Sequence, residues 1–117
     1  SALIGLFDAE GRALFANPAA FAAYASADLP FERRFAEPER AAPLLARALA
    51  GEPAFELCQA VTVQGLRWHH MDARPVIDPV TGQTGVLLNE RDVTPRIEAE
   101  NARAAAEARA AMAEARQ

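Results

Sequence analysis

The sequence predicts an α+β fold: a five-stranded antiparallel sheet with helices on one face, plus an extended C-terminal helix. Two observations predict it. Apolar runs of strand length fall into two groups, two near the N-terminus and three further along, and helical patterns lie between the groups. After the last run the spacing of apolar residues changes from strand to helix without a loop. A chain of 117 residues is long enough for one modest core.

The five strands are predicted from β-rich runs that are bounded by turn residues. They lie near Ala2–Phe7, Arg12–Ala16, Phe55–Val63, Leu66–Ile77 and Gln83–Thr94. The first two form a hairpin around residues 8–11, and turns at 64–65 and 78–83 join the last three. Runs of strands with the helices segregated between them indicate an antiparallel sheet with the helices packed on one face.

The first helix is predicted from its start signal. Asn17 suits the N-cap and Pro18 suits the first helical position, where the missing N–H of proline would have no partner anyway. Phe21 and Tyr24 are three residues apart and are predicted to share one face of this helix. We expect the helix to end near Ser26.

The remaining helical segments differ in how clearly they are marked. Residues 27–38 contain two prolines and no regular period, so we expect loops and a short helix. Glu39–Ala50 has leucines at helical spacing, with Gly51 as a C-cap. At the end of the last strand, Thr94 is predicted as the N-cap of the C-terminal helix and Pro95 as its first residue.

Composition excludes several classes of protein. A net charge of −4 argues against a nucleic-acid partner and against direct contact with an acidic membrane, because both need clustered positive charge. No apolar run approaches the length of a membrane span, and no signal peptide is visible. The single Cys58 excludes an intrachain disulfide and suits a reducing, cytoplasmic setting.

Catalytic and metal-binding patterns are lacking in the sequence. His69 and His70 are the only histidines, and as neighbours on a strand they point to opposite faces, so they cannot share one metal ion. Cys58 lies in a β-rich run, where a cysteine is more often a small buried residue than a reactive thiol. We therefore expect no metal site and no catalytic residues.

The order of several segments carries a family resemblance. The segments in question are residues 5–19, 47–53, 68–76, 85–88 and 91–94. Together they resemble PAS sensor domains over roughly residues 2–100. The first segment is similar to the opening hairpin and first helix of a PAS domain, and the second to the end of its connecting helix. The last segment, Arg-Asp-Val-Thr, is similar to the motif that leads into a PAS signalling helix.

The resemblance implies which side chains face the interior. Trp68 lies in the strand predicted at Leu66–Ile77. By similarity to flavin-binding PAS members, the residue that follows this tryptophan points inward. The ligand-pocket candidates are therefore His69, Met71, Leu88 and Glu90. Trp68 and His70 would face outward. An inward His69 and Glu90 either hold a small ligand within an apolar shell, or satisfy each other or a buried water.

The resemblance also bears on cofactors. Blue-light PAS domains carry Asn-Cys-Arg on a helix, and haem-binding members take an iron ligand from a helical histidine; this sequence has neither pattern. We predict neither flavin nor haem, and leave open an unidentified small molecule. Alternatively, the domain's own bulky residues fill the interior. The candidates for that filling are Phe7, Phe15, Phe21, Tyr24, Phe55 and Met71.

The C-terminal segment has the spacing of a coiled-coil seam. The seam positions follow a 4-3-4-3-4 pattern at Ile97, Asn101, Ala104, Ala108, Ala111 and Ala115. Glutamates and arginines four residues apart flank it. We expect a homodimer through this helix, with help from outer-face residues such as Trp68 and Leu87. The alternative is an exposed single helix that forms because alanine favours helices.

These features define two regions and one function. Residues 1–94 are predicted to form a PAS-like sensor domain, and residues 95–117 a signalling helix. Asp92, Val93 and Thr94 form the signal-transfer junction between them. We expect a non-catalytic sensor or dimerisation module of a bacterial signal-transduction protein, with an effector domain downstream in the same chain. A two-component histidine kinase is favoured over a diguanylate cyclase or phosphodiesterase. The alternative is a ligand-free protein-interaction module.

Overall fold

The computed structural model describes residues 2–116. Its elements, in chain order, are β1 (Leu3–Phe7), β2 (Ala13–Ala16), α1 (Pro18–Tyr24), two 3-10 helices (Phe31–Arg34 and Pro38–Arg40), α2 (Ala41–Leu49), β3 (Ala54–Thr62), β4 (Gly65–Ile77), β5 (Thr84–Asp92) and α3 (Thr94–Ala115). The strands form one antiparallel sheet in the order β2-β1-β5-β4-β3. This confirms the predicted fold class. Gln117, the expected end of the last helix, lies outside the described residues.

Asn17 begins α1 as predicted. Its side-chain oxygen accepts a hydrogen bond from Ala20 N at 2.9 Å, and Pro18 opens the helix. The same oxygen accepts a second hydrogen bond, from Ile4 N in β1 at 3.0 Å. One side chain therefore caps α1 and fixes the helix against the sheet. The helix ends at Tyr24, two residues before the predicted end, because Ala25 adopts a left-handed conformation with φ of 52°.

The segment before α2 folds into two 3-10 helices rather than one short helix. The α-helix itself begins at Ala41, two residues later than predicted, because Pro38–Arg40 takes the tighter 3-10 turn. It ends at Leu49, and Gly51 follows with φ of 92°, the left-handed conformation in which glycine commonly terminates helices. Its buried face, which includes Leu44 and Ala48, packs on the sheet.

The register of the three long strands decides which residues face the helices. His69 pairs with Asp92 and Met71 pairs with Glu90 between β4 and β5. Because side chains alternate between faces, His69, Met71 and Glu90 share the helix-covered face. All three are buried, and Trp68 and His70 on the opposite face are only partly buried. The predicted alternation is therefore confirmed.

The strand-to-helix junction differs from the prediction in its cap. β5 ends at Asp92 rather than Thr94, and α3 begins at Thr94 with Val93 at the N-cap position. The prediction of Thr94 as N-cap is therefore wrong, and Pro95 is the second helical residue. Thr94 cannot cap the helix because its hydroxyl is already bonded to β4, where it accepts from Trp68 N at 2.7 Å.

The C-terminal helix projects beyond the domain. α3 has 22 residues and is therefore about 33 Å long. Thr94 is buried and Ile97 is partly buried, but every residue from Glu98 to Arg116 is exposed. Among the helices of residues 2–116, none is both long enough and apolar enough to cross a bilayer.

Candidate functional site

A carboxylate lies at the centre of the domain. Glu90 on β5 is 0% exposed and accepts hydrogen bonds from three side chains that come from three other elements. Arg34 donates from its Nη1, Tyr24 from its hydroxyl, and His69 Nδ1 lies 2.9 Å from Oε1. A buried charge is tolerated only when it is paired and hydrogen-bonded, and Glu90 meets both conditions.

Arg34 supplies the opposite charge and is itself buried. Only 1% of it is exposed, and its Cζ lies 4.9 Å from the centroid of the Phe7 ring and 4.6 Å from that of Tyr24. Both distances lie within the range of cation–π attraction. Space for the guanidinium depends on Gly5, where an added Cβ would lie 3.0 Å from Arg34 Nη2 and 2.9 Å from a carbon of the Phe7 ring.

Tyr24 and His69 complete the network as hydrogen-bond donors. Burial, the charge of Glu90 and the hydrogen bond to it raise the pKa of Tyr24 far above its usual range, so the hydroxyl stays protonated. A carboxylate paired with Arg34 can only accept, so the proton between it and the imidazole is assigned to His69 Nδ1. The network thus has one negative centre and three donors.

All four pocket candidates from the sequence lie in this interior. His69 is 2% exposed, while Met71, Leu88 and Glu90 are 0% exposed. The structure brings His69 and Glu90 into direct contact; whether the four hold a ligand stays a prediction. Of the residues expected to fill the interior, Phe7, Tyr24 and Met71 do so. That prediction is wrong for Phe15, Phe21 and Phe55, which are at least half exposed, because their positions face solvent.

Two of the cavities at the edges of the domain lie at opposite ends of the sheet. One, of about 200 Å³, lies between α1 and the β3–β4 turn and reaches His69, Arg67 and Asp92. The other, of about 440 Å³, lies at the opposite end of the sheet, and Leu14 and Ile77 are among its lining residues. Neither is lined by Glu90. The central carboxylate is thus enclosed by side chains of the domain.

The strand–helix junction is held by Asp92. One carboxylate oxygen accepts from Thr94 N at 2.8 Å, and the other accepts from Arg67 Nε at 2.8 Å. Asp92, and not Thr94 as predicted, therefore supplies the side-chain oxygen that satisfies an N–H at the start of α3. The ion pair joins the end of β5 to β4. The start of α3 is therefore bonded to both strands.

Asp92 is ionised under ordinary conditions. Partial burial raises the pKa of Asp92. The hydrogen bonds from Thr94 and the ion pair with Arg67 together lower it by more than burial raises it, so the pKa lies below its usual value. Because this pKa is lowered, the junction contacts are fully present at any pH above the usual pKa of a carboxyl group. They are lost only when the pH falls through the lower pKa of the folded state.

The predicted dimer-helix residues form a stripe along α3. Ile97 is partly buried against the domain, whereas Asn101 and the four alanines of the seam are exposed in the single chain. The flanking pairs predicted from the sequence are present, with Arg96 Nε 3.4 Å from Glu100 and Arg103 Nη1 3.1 Å from Glu107. Self-association through this stripe stays a prediction.

Cys58 and the histidines offer no further chemistry. Burial, with the nearby charge of Glu56, raises the pKa of the Cys58 thiol to about 12, so the reactive thiolate is scarce at neutral pH. His70 stacks on Phe55 on the outer face of the sheet, with ring centroids 5.8 Å apart. Within residues 2–116, no group of three potential ligands is arranged to hold a metal ion.

Comparison with known proteins identifies the family. A family model described as the PAS fold matches residues 1–98. The chain belongs to the PAS family. PAS domains are in general sensory modules without catalysis of their own. A search of curated proteins finds no match.

Solved PAS structures share this architecture. The sensory box histidine kinase/response regulator of Burkholderia thailandensis has a TM-score of 0.66 at 16% identity, and the match covers 95% of this chain and 91% of that one. A domain of a putative light and redox sensing histidine kinase from Haloarcula marismortui gives 0.62 at 18%, covering 80% and 90%. The N-terminal domain of a diguanylate cyclase with PAS/PAC sensor from Marinobacter aquaeolei gives 0.61 at 13%, covering 82% and 98%. Identities this low show the fold alone.

Sequence reasoning missed two residues of this PAS domain. Arg34 lies in the segment without a clear period, and its burial depends on a carboxylate 56 residues away. The one available signal was its position between Phe31 and Phe35, both of which are buried. Arg67 was missed as the partner of Asp92, because the two residues are 25 positions apart in the sequence. Arg67 reaches Asp92 because Asp92 pairs with His69, two residues further along β4.

Proposed function

We propose that this PAS domain is the sensory input module of a bacterial signalling protein, and that it passes a change in its interior through α3 to an effector downstream in the same chain. One observation carries the proposal. Glu90 and Asp92 are two residues apart on β5, so they lie on the same face of one strand. Glu90 binds the interior network, and Asp92 holds the start of α3. A shift of β5 would move both.

A signal of this kind needs two arrangements of the domain. A ligand or partner biases them only if it binds one arrangement better than the other. The hydrogen bonds of Asp92 with Thr94 and Arg67 would then have different geometry in the two arrangements, and the angle of α3 to the sheet would change with them. The direct passage from β5 to α3 supports this mechanism, because no loop intervenes to absorb the movement.

A histidine kinase is the effector we favour. Helices rich in alanine and charged residues, like α3, often lead into the dimerisation helices of such kinases. The similar PAS structures include domains of histidine kinases and of a diguanylate cyclase, so a cyclase or phosphodiesterase is the second candidate. The assignment applies to the whole protein, and we propose a cytoplasmic location for this domain.

Removing the junction carboxylate should alter signalling with little loss of stability. We expect Asp92→Ala to cost about 1 kcal/mol of unfolding free energy, the usual cost of a lost hydrogen bond. It should change the output of the full-length protein in at least one signal state. The matched control is Asp72→Ala. It also removes an arginine–aspartate pair, between Asp72 and Arg74, but this pair lies within β4 and away from α3. Wild-type output from Asp92→Ala in both signal states would contradict the proposal.

Dimerisation through α3 is part of the same proposal. The exposed stripe from Asn101 to Ala115 has the spacing of a seam, and alanines allow close approach but bury little area. Such a dimer would be weak and easily shifted between states. The asparagine would fix the register at some cost in stability.

A charge placed in the seam should dissociate the dimer. We expect Ala108→Glu to weaken self-association at least about tenfold, because burying an unpaired charge costs more than the 1.4 kcal/mol that a tenfold change requires. Ala106→Glu, on the opposite side of α3, serves as the control and should leave the dimer unchanged. Analytical ultracentrifugation at protein concentrations of about tens of micromolar measures the self-association of both variants. Equal behaviour of the two variants would place the interface elsewhere.

A second candidate function is a protein-interaction module that binds no small molecule. The enclosed interior favours it, since Phe7, Tyr24, Arg34 and Met71 occupy the space beside Glu90. Native mass spectrometry of the purified domain separates the two candidates. A small molecule that stays bound supports the sensor, whereas a bare domain that still signals through a partner supports the interaction module.

A further inference from the structure

The surroundings of Arg34 have the composition of a cation-binding site. A carboxylate, Glu90, is paired with its Nη1, and two aromatic rings lie within 5 Å of its Cζ. Tyr24 and His69 bond to the other oxygen of the carboxylate, so Glu90 is held in place to receive a positively charged partner. Aromatic faces combined with a carboxylate recognise organic cations, and they do so best when water is excluded.

The fit of Arg34 to this site is incomplete. Its Nε is buried and donates to no atom of residues 2–116. A buried donor without an acceptor destabilises the folded state, because it has lost its hydrogen bonds to water and gained none in the protein. Arg34 is also carried by a 3-10 helix of only four residues, of which Phe31 and Arg34 are buried. The site therefore satisfies the guanidinium at Nη1 and leaves its Nε without a partner among residues 2–116.

We propose that Phe7, Tyr24, Glu90 and His69 form a binding box for a small organic cation of the guanidinium or amidinium class, with Arg34 as its tethered occupant. The inference deepens the proposed sensor function by naming the class of ligand. An external cation of this class competes with Arg34 for Glu90. Its binding would release the 3-10 helix Phe31–Arg34 from β5, the strand that leads to α3.

The tether sets the affinity that an external ligand can reach. In the wild-type protein a cation binds only the fraction of molecules in which Arg34 has left the box, and the apparent affinity falls by that fraction. Removing the Arg34 side chain removes this competition. The box should then bind the missing group when it is supplied in solution.

The test uses Arg34→Ala and two probes of the same shape. Ethylguanidinium replaces the atoms that the substitution removes beyond Cβ, and ethylurea is its neutral counterpart. We expect ethylguanidinium to bind Arg34→Ala at least about tenfold more tightly than ethylurea does, because a charge-assisted hydrogen bond contributes more than the 1.4 kcal/mol of a tenfold change. Thermal unfolding and calorimetry at matched ionic strength measure this. The wild-type protein should bind ethylguanidinium at least about tenfold more weakly than the variant.

Two further arms keep the test decisive. In Arg34→Ala/Glu90→Gln the preference for ethylguanidinium should disappear, since the negative charge is gone. If Arg34→Ala does not fold alone, ethylguanidinium should restore its far-UV circular dichroism and ethylurea should not, because a ligand that binds only the folded state shifts the folding equilibrium. Equal effects of the two probes, no effect of either, a preference that survives Glu90→Gln, or wild-type binding that is either equal to that of Arg34→Ala or undetectable at every concentration of ethylguanidinium would overturn the proposal. These results report binding alone, so they leave the coupling through Asp92 to its own test.

Discussion

Replacing Arg34 with alanine is expected to destabilise the domain by about 3–5 kcal/mol, because it leaves Glu90 as an uncompensated buried charge. The whole stability of a small domain is about 5–15 kcal/mol, so the variant would be close to unfolding. The loss should appear in urea unfolding as a lower midpoint with an unchanged slope. The lost unfolding free energy reflects mainly the cost of leaving the Glu90 carboxylate buried without a partner, and only in small part the attraction between the two charges.

Two controls separate the charge from the side chain. Arg33→Ala removes an exposed arginine from the same 3-10 helix and should change the unfolding free energy by less than about 0.5 kcal/mol. Arg34→Ala/Glu90→Gln should be less destabilised than the sum of its two single substitutions, because the introduced amide can keep neutral hydrogen bonds with Tyr24 and His69. A loss equal for Arg33→Ala and Arg34→Ala, or an additive double variant, would contradict the account.

Gly85→Ala should give the second large effect. An added Cβ would lie 2.5 Å from the backbone oxygen of Phe7, on the neighbouring strand β1, and a backbone atom cannot move aside as a flexible side chain can. The two strands must separate where Phe7 is fully buried beside Arg34. We expect a cost of about 2–4 kcal/mol, at the upper end of what overpacking causes.

Gly82→Ala is the matched control for this substitution. Gly82 has φ of 73° and no atom within 4 Å of an added Cβ, so alanine there meets only a backbone penalty of about 1–2 kcal/mol. Urea unfolding of both variants compares steric with conformational cost. If Gly85→Ala is no more destabilised than Gly82→Ala, then β1 and β5 are not packed as closely as described.

The parts of the fold that could be predicted are those set by local pattern. Alternation along β4 and β5, once the register was taken from the PAS resemblance, was enough to turn His69 and Glu90 inward. Asn17 and Pro18 marked the start of α1, because their cap geometry is encoded within four residues. These features depend on neighbours in the sequence, so the sequence displays them.

The parts that could not be predicted depend on contacts between distant elements. The position of Arg34 between Phe31 and Phe35 is the one local signal for its burial, and it does not identify the compensating carboxylate, which lies on β5. The error at Thr94 has the same origin: its hydroxyl bonds to Trp68 N, 26 residues away, which leaves the N–H at the start of α3 to Asp92. Local cap preference gave way to tertiary hydrogen bonding in this case.

The central claim is that β5 couples the interior to α3, and hydrogen exchange at the junction tests it most directly. The amides to follow are those of Trp68 and Thr94, whose hydrogen bonds join the start of α3 to β4 and β5. Four proteins are compared: wild type, Glu90→Gln, Asp92→Ala and the double variant. We predict that Glu90→Gln changes exchange at these amides by about tenfold, the equivalent of 1.4 kcal/mol, and that the change is largely lost when Asp92 is absent. Unchanged exchange in Glu90→Gln, or the same change with and without Asp92, would contradict the account.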